Sequence, residues 1–133
     1  MLRLEIVTPE KRVLDAEVDS VTVMTATGEA GILPNHAPLI SSLKPGILTY
    51  TSKGNSDKLA ISGGFVEVNG NSVSVLADTA STADEIDLAQ ARTDKEVAEK
   101  AFAAVASGAI EDTEQARDQI DAANVRIQLA SGK

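Results

Sequence analysis

Apolar and polar residues alternate along residues 2–77 in short segments, and this period of two is typical of strands with one buried face. In the first segment, Leu2, Leu4 and Ile6 alternate with Arg3 and Glu5. The pattern predicts strands at residues 2–7, 11–18, 20–25, 47–52, 59–62, 65–68 and 73–77. Short strands with frequent turns favour an antiparallel sandwich or flattened barrel over alternating strand–helix units.

A segment rich in turn-forming residues separates the third of these strands from the fourth. Gly28–Gly46 has the sequence GEAGILPNHAPLISSLKPG and contains three of the four prolines. Each proline fixes φ and removes a backbone donor, which excludes a helix. Because the apolar runs are short, we predict a rigid loop held against the sheet, with Glu29, Asn35 and His36 facing outward.

A glycine pair, an Asn-Gly pair and a polar cluster mark turns or irregularities between the later strands. Gly63-Gly64 suggests a bulge or a close approach of two backbones, because these positions lack side chains. Asn69-Gly70, which follows FVEV, predicts a type I′ hairpin turn. The polar residues 53–57 predict a further turn.

The composition changes after a polar hinge at residues 81–83, where helix-forming residues begin to dominate. Apolar positions then recur at steps of three and four in two segments, which predicts two helices packed along a narrow seam. The seam positions are Leu88, Ala91, Lys95, Ala98, Phe102 and Val105, then Ala116, Ile120, Ala123, Ile127 and Ala130, and Lys95 is the residue that interrupts the apolar run. Ser107-Gly108 would end the first helix, and Asp112 with Gln115 resemble a capping box for the second.

The predicted fold class is therefore α+β, with an antiparallel β-sandwich followed by an antiparallel two-helix hairpin. Alanine dominates the seam, so each helix contact buries little apolar area. We expect the hairpin to be held weakly and to be able to open or change its docking.

The formal net charge of −8 bears on possible partners. It argues against nucleic acid, because binding to that backbone depends on Lys and Arg. It also disfavours direct docking on anionic lipid. No run approaches the roughly 20 apolar residues that span a bilayer, and the start lacks the pattern of a signal peptide. We expect a soluble protein on the cytoplasmic side.

The common catalytic constellations are missing from the sequence. One histidine and no cysteine exclude a Cys/His pair and a multi-histidine metal site. The acids Asp84, Glu85 and Asp87 could form an acid/base or metal cluster, although carboxylates at a helix start also satisfy free N–H groups. A hydrolase that uses Glu29 and His36 would need a nucleophile or a third orienting group, and none is apparent.

Three segments make the chain resemble the epsilon subunit of rotary F-type ATP synthases. They are Gly28–Gly46, SGGFVEV (Ser62–Val68) and SVLADTA (Ser74–Ala80), in this order and before a helical tail. The resemblance covers essentially the full length. It implies a β-sandwich at residues 1–83 and a mobile regulatory hairpin at residues 84–133.

The resemblance also implies a role, that of a non-catalytic rotor subunit in the central stalk of a proton-translocating synthase. The sandwich would bind the gamma subunit and rest on the c-subunit ring, with Glu29, Ile32 and His36 contacting the ring's polar loops. The hairpin would permit turnover when docked on the sandwich. Extended along gamma toward the catalytic alpha and beta subunits, it would inhibit ATP hydrolysis.

The resemblance places such a complex on the cytoplasmic face of the bacterial inner (plasma) membrane. The chain itself would associate with the membrane only through the complex, and no cofactor of its own is expected. Residues 84–133 carry six basic and eleven acidic side chains, a net charge of −5. This balance disfavours strong electrostatic inhibition through an acidic segment of the beta subunit.

Some bacterial members of the family bind ATP on the folded hairpin through a motif of the form I/L-D-x-x-R-A. The matching positions are Ile86, Asp87 and Ala91, but Gln90 stands where the motif has arginine. Arg92 lies roughly 200° further around the helix and is not a simple substitute. A neutral amide does not supply the charge that phosphates favour, so we expect weak or absent ATP binding.

A different class of protein would also fit the predicted architecture. A free-standing β-sandwich binding module with a helical oligomerisation tail explains the elements, but it does not explain the specific residues of Gly28–Gly46. Co-purification with a large membrane-associated complex would distinguish the two.

Overall fold

The computed structural model describes residues 1–105 and 110–131, with side chains from Thr113 onward in the second helix, and shows ten strands followed by a 3₁₀ turn and two helices. The strands are β1 (Leu2–Val7), β2 (Arg12–Val18), β3 (Ser20–Thr25), β4 (Gly28–Ile32), β5 (His36–Leu43), β6 (Gly46–Ser52), β7 (Asn55–Ile61), β8 (Gly64–Gly70), β9 (Ser72–Ala77) and β10 (Ala80–Ser81). The helical part consists of the 3₁₀ turn Ala83–Glu85, α1 (Leu88–Val105) and α2 (Ile110–Ser131).

The strands form one sheet in the order β10-β7-β6-β3-β5-β8-β9-β1-β2, and β4 pairs with β3 beside this path. Every described pair is antiparallel except β1 with β9, which runs parallel from Arg3–Ser72 to Val7–Leu76. The sheet curls so that β2 lies beside β6. Asp19, which joins β2 to β3, donates its backbone N–H to the carbonyl oxygen of Thr51 at 2.7 Å, next to the β3–β6 ladder. This curling produces the two facing layers of a sandwich.

Aliphatic side chains fill the interior of the sandwich, as the alternation predicted. The buried cluster comprises Leu2, Leu4, Ile6, Val18, Val21, Val23, Ile32, Leu43, Leu48, Leu59, Ile61, Val66, Val68, Val73, Val75 and Ala77. The predicted α+β class, a sandwich followed by a helical hairpin, is confirmed.

The turn between β8 and β9 lies one residue later than predicted. Because Asn69 pairs with Ser72, the turn residues are Gly70-Asn71. Only Gly70 has a positive φ, of 63°, whereas a type I′ turn requires it at both central residues. The core decides the register, since this pairing keeps the valines of both strands on the buried face and Asn71 outside it.

A turn of the type I′ pattern occurs instead between β6 and β7. Lys53 and Gly54 both have positive φ, of 52° and 83°, and Ser52 pairs with Asn55 across the turn. The turn predicted for residues 53–57 was therefore too long, because β7 already begins at Asn55.

The two helices pack against each other along the predicted seam. Four alanines of that seam are buried, namely Ala91, Ala98, Ala116 and Ala123. The helix α2 begins at Ile110, so Asp112 lies inside it and the predicted capping box is wrong. The predicted stop at Ser107-Gly108 lies outside the described residues.

Candidate functional site

The segment Gly28–Gly46 is mostly strand, so the prediction of a loop was wrong in this respect. Its first part is β4, which pairs with β3, and its second part is β5, which pairs with β8. The register of the second pair shifts between His36 and Leu39, around Pro38, whose nitrogen has no hydrogen to donate. Prolines are compatible with a sheet when they lie at strand ends or where the pairing is irregular. The sequence pattern did not reveal that the prolines of this segment lie at such positions.

The turn between β4 and β5 is tied to the rest of the sandwich by Asn71. The backbone N–H of Asn35 donates to the Asn71 side-chain oxygen at 2.7 Å. The backbone N–H of Arg3 donates to the Asn71 carbonyl oxygen at 2.8 Å. Asn35 has a positive φ of 65°, which asparagine tolerates better than most residues. One residue thus fixes three segments at this end of the sandwich.

Glu29 and His36 lie on different strands, Glu29 near the start of β4 and His36 at the start of β5. Glu29 is exposed and lies opposite Met24, near the β3–β4 turn. His36 is half-buried and lies opposite Gly70. Its Nδ1 lies 2.7 Å from the carbonyl oxygen of Ala37, and because a carbonyl only accepts, Nδ1 is the donor of this hydrogen bond.

Ile32 lies in the core rather than at this surface. Its side chain is 0% exposed, and its backbone pairs with Val21 in the ladder of β3 and β4. In this conformation Ile32 offers no contact area to a partner. The following residue, Leu33, is 63% exposed in the turn.

An exposed apolar face, which the sequence analysis did not single out, covers the outside of β8 and β9. Phe65 and Leu76 are 58% and 56% exposed and are cross-strand partners. Val7 pairs with Leu76 on the other side, and a groove of about 360 Å³ runs between these residues and Pro9. An apolar residue occupies one of the outward-facing positions of β8, where the alternating pattern calls for a polar one. This departure is the sequence signal that could have revealed the exposed apolar face.

Ion pairs border the exposed apolar face on β1 and β2. Arg3 binds Asp15 at 3.0 Å and Arg12 binds Glu5 at 3.1 Å. The pKa of the Asp15 carboxyl is lowered, first by the hydrogen bond from Arg3 and then by the positive charges of Arg3 and Arg12. An apolar centre with a charged rim is the arrangement of many protein–protein interfaces.

The residues that match the nucleotide motif make contacts within the hairpin. Asp87 precedes α1, and its Oδ1 accepts the backbone N–H of Gln90 at 3.1 Å. Ala91 is buried, and Ile86 is half-buried. The Gln90 amide donates to Asp94 at 2.9 Å, so the structure uses these polar groups to start and support the helix.

A cross-helix ion pair joins the hairpin at the same place. Arg126 Nη2 of α2 lies 2.9 Å from Asp94 Oδ2 of α1. Asp94 therefore receives one hydrogen bond from Gln90 and one from Arg126. The seam pattern gave no sign of this pair, because Asp94 and Arg126 are not seam positions.

The acids at the hinge behave as capping groups. The Glu85 carboxylate accepts the backbone N–H of Thr82 at 3.0 Å and its hydroxyl at 3.1 Å. These two bonds, the backbone one first, lower the pKa of Glu85. Among the described residues, no group of three His, Cys, Asp or Glu side chains is arranged to hold a metal ion.

No helix in the described part of the chain is long and apolar enough to cross a membrane.

Comparison with known proteins identifies relatives of this fold and sequence. Residues 1–83 match the family model of the ATP synthase delta/epsilon chain β-sandwich domain. The ATP synthase epsilon chain of Desulfitobacterium hafniense (strain Y51) is 52% identical over 97 residues, which is 73% of this chain and 74% of that protein. The epsilon chain of Herpetosiphon aurantiacus is 46% identical over 129 residues, covering 97% and 93%.

A solved structure shares the arrangement of sandwich and helices. A chain of the Euglena gracilis mitochondrial ATP synthase, in a structure of OSCP, F1 and c-ring, has a TM-score of 0.76 and 27% identity. The match covers 93% of this chain and 78% of that one. A chain in the central stalk and c-ring structure of Tetrahymena thermophila, at 14% identity and a TM-score of 0.65, shares the fold. As the sequence resemblance implied, the chain belongs to the delta/epsilon chain family of ATP synthase and is an epsilon chain, a subunit of the enzyme other than its catalytic one.

Proposed function

We propose that the chain is the rotor subunit that couples gamma to the c-subunit ring of a proton-translocating F-type ATP synthase, and that its hairpin inhibits ATP hydrolysis when extended. The observation that carries the proposal is the end of the sandwich where Asn71 fixes the β4–β5 turn. A part that transmits torque needs contact groups in fixed geometry. The complex would lie on the cytoplasmic face of the bacterial inner membrane.

Glu29 and His36 are the proposed contacts with the c-subunit ring. Both lie on paired strands, so the backbone ladders with β3 and β8 restrict their movement. Glu29 offers a carboxylate and His36 offers Nε2 to the polar loops of the ring. Ile32 supports this contact from the core by anchoring β4, and the exposed Leu33 supplies apolar area beside it.

The exposed apolar face of Phe65 and Leu76 is the proposed docking surface for gamma. A permanent partner inside a rotor is expected to cover apolar area, and this face combines an aromatic ring with a charged rim. Ile40, which is 74% exposed, extends the same side of the sheet beside Glu67. The face and the β4–β5 turn are separate, so one sandwich can contact gamma and the ring together.

The hairpin is the proposed regulatory part, contacting the catalytic alpha and beta subunits when extended. Small buried alanines support a hairpin whose docked and extended forms differ by only a few kcal/mol. The net charge of −5 over residues 84–133 argues for inhibition by steric contact with gamma and its surroundings more than by charge attraction.

Nucleotide regulation through Ile86, Asp87 and Ala91 is proposed to be weak or absent. The motif arginine is replaced by Gln90, whose side chain is already bonded to Asp94. Calorimetry with the isolated chain should give millimolar affinity for ATP or no binding. A low-micromolar dissociation constant would contradict this part of the proposal.

Regulation is tested by ATP hydrolysis of the soluble catalytic complex, reconstituted either with the full-length chain or with the chain cut after Ala83. If the hairpin inhibits, truncation raises the rate several-fold while binding to gamma is retained. Equal rates with equal binding would refute the inhibitory role and leave the sandwich as a coupling part.

Coupling is tested in the membrane-bound complex by the protons pumped per ATP hydrolysed. The double variant Glu29→Gln with His36→Ala should lower this ratio, because it removes the proposed polar contacts with the ring. Glu99→Gln, an exposed carboxylate on α1, is the matched control and should leave the ratio unchanged. An unchanged ratio in the double variant would contradict the assignment of these residues.

A further inference from the structure

The strand β4 is joined to the sheet along one edge. It pairs with β3 from Val21–Ile32 to Thr25–Gly28 without a shift of register. Among the described residues, no strand pairs with the opposite edge of β4. We call this opposite edge of Gly28–Ile32 the free edge. Backbone groups along such an edge are available for pairing with another chain.

The hydrogen bonds of β3 show which backbone groups of β4 point to the free edge. The backbone N–H of Lys44 donates to the carbonyl oxygen of Met24 at 3.0 Å, so the carbonyl of Met24 points to β5 and away from β4. Bonded and non-bonded residue pairs alternate along an antiparallel ladder. The non-bonded pairs are therefore Met24–Glu29 and Thr22–Gly31. It follows that the N–H and C=O groups of Glu29 and Gly31 point to the free edge.

The two ends of the sheet are protected against further pairing in ways that the free edge is not. The strand β10 has two residues, and β2 carries the charged Arg12 and pairs irregularly with β1 next to Val7. Short strands, basic side chains and irregular pairing are common devices against edge-to-edge association. In contrast, β4 has five residues in regular register, and Glu29 is its single charged side chain. Such an edge is expected to be covered in the assembled protein.

Gly31 lies on the free edge, and the fold of the chain does not require glycine there. Its φ is not positive, and a Cβ atom would meet nothing within 4 Å. The regular register around it excludes a bulge. A glycine inside a strand often marks the place where another backbone or a ligand approaches closely. Here that approach would come from outside the chain.

The side chains around Gly31 indicate the chemistry of the approaching segment. Glu29, two positions before Gly31, shares its side of the strand and is exposed. Leu33, two positions after it, is 63% exposed in the turn. An extended polar segment fits this edge when a basic side chain lies beside the carboxylate and aliphatic atoms lie on the leucine.

We propose that a polar loop of the c-subunit ring docks on the free edge of β4 and forms main-chain hydrogen bonds with Glu29 and Gly31. Gly31 leaves room for the backbone of the loop, and a basic side chain of the loop lies beside the Glu29 carboxylate. The proposal rests on the ring contact proposed above and specifies how it is made. It assigns to the backbone of Gly31 the contact that the buried Ile32 does not offer. Main-chain pairing of this kind supplies affinity in other strand-edge complexes.

Amide hydrogen exchange tests the proposal because it reports on each backbone N–H. In the isolated full-length chain, NMR should show faster exchange at Glu29 and Gly31 than at Ala30 and Ile32, whose N–H groups are bonded to β3. In the membrane-bound complex, exchange is stopped by acid and the chain is then extracted for NMR. There the amides of Glu29 and Gly31 should exchange about tenfold more slowly than in the isolated chain, or slower still.

The soluble catalytic complex, which contains gamma but no ring, identifies the partner. The two amides should exchange there as fast as in the isolated chain. Slow exchange already in the soluble complex would assign the free edge to gamma or another soluble subunit and would overturn the proposal. Fast exchange in the membrane-bound complex would overturn it as well.

A series of side chains at Gly31 tests the close approach. Gly31→Ala and Gly31→Val should keep the urea midpoint of the isolated chain close to that of the unmodified chain, because the space around the Cβ position is open. In the membrane-bound complex they should lower the number of protons pumped per ATP hydrolysed, and valine should lower it more than alanine. Ser56→Val, at an exposed position of β7, is the matched control and should leave this ratio unchanged.

The Gly31 series also separates this proposal from the ring contact on which it rests. If both Gly31 variants pump normally while the double variant of Glu29 and His36 does not, the close approach at the free edge is wrong and the ring contact stands. If the double variant also pumps normally, the ring contact is wrong and the proposal fails with it.

Discussion

At Gly64 the backbone of β8 passes so close to β9 that a side chain has no room. A Cβ atom there would overlap the carbonyl oxygen of Leu76 and lie 2.9 Å from the Cα of Ala77. The φ of Gly64 is 129°, a conformation that residues with a side chain rarely adopt. Alanine at this position therefore has to push two central strands apart and also hold an unfavourable φ.

Two other glycines separate these two effects. Gly28 has nearly the same φ, of 126°, but open space around its Cβ position. Gly31 has neither a positive φ nor a neighbour within 4 Å. We expect Gly31→Ala to be neutral or to stabilise by up to about 1 kcal/mol, and Gly28→Ala to cost about 1–3 kcal/mol.

Gly64→Ala should cost about 2–6 kcal/mol, the sum of the same φ penalty and an overpacking penalty of about 1–3 kcal/mol. The upper end is comparable to the whole free energy of unfolding of a small domain, about 5–15 kcal/mol. The predicted order of stability is therefore Gly31→Ala, then Gly28→Ala, then Gly64→Ala.

Urea unfolding of the full-length variants measures this order. Tyr50 is the only tyrosine and the chain has no tryptophan, so tyrosine fluorescence reports on the sandwich. If Gly64→Ala is no less stable than Gly28→Ala, the close approach to Leu76 is not what requires glycine. If Gly31→Ala is as damaging as the other two, the reasoning from φ and space fails altogether.

Three further results are expected. Ile32→Ala should destabilise the sandwich by about 2–5 kcal/mol in the same urea experiment, since it leaves a cavity in the core; a near-neutral result would contradict its burial. In a double-mutant cycle followed by thermal unfolding of the helices, Arg126→Ala and Asp94→Asn should show a coupling of about 0.2–1 kcal/mol, as for partly exposed pairs, and purely additive effects would mean that the pair contributes nothing. Because the pKa of Glu85 is lowered in the folded state by its hydrogen bonds from Thr82, its stabilisation of the hinge is present above the ordinary glutamate pKa and is lost as the pH falls through the lowered pKa; the amide resonance of Thr82 should follow this titration and should lose it in Glu85→Gln.

Strand positions and the helix seam could be predicted because both depend on burial periodicity. Leu2, Leu4 and Ile6 had to share a face once their segment was a strand, and Ala91 and Ala98 had to share one on a helix. Register could not be predicted in the same way. The turn between β8 and β9 lies one residue later than predicted. The pairing of valines in the core outweighed the local preference of Asn69-Gly70 for the two central positions of the turn.

The site was predicted less completely than the fold. Prolines in Gly28–Gly46 suggested a loop, because their positions relative to partner strands are not visible in the sequence. For the same reason the burial of Ile32 was missed. The exposed face of Phe65 and Leu76 depends on which elements lie beside it, and no single segment of the sequence contains that information.

The parallel pairing of β1 with β9 has a consequence for the order in which the chain can fold during synthesis. Arg3 pairs with Ser72, which follows it by 69 positions. At about 5–20 residues per second, the ribosome needs roughly 3–14 s to add the residues between them. Until then β1 lacks one of its two neighbours in the sheet. The sandwich therefore cannot close around the apolar side chains near the start of the chain before the last long strand, β9, has been synthesised.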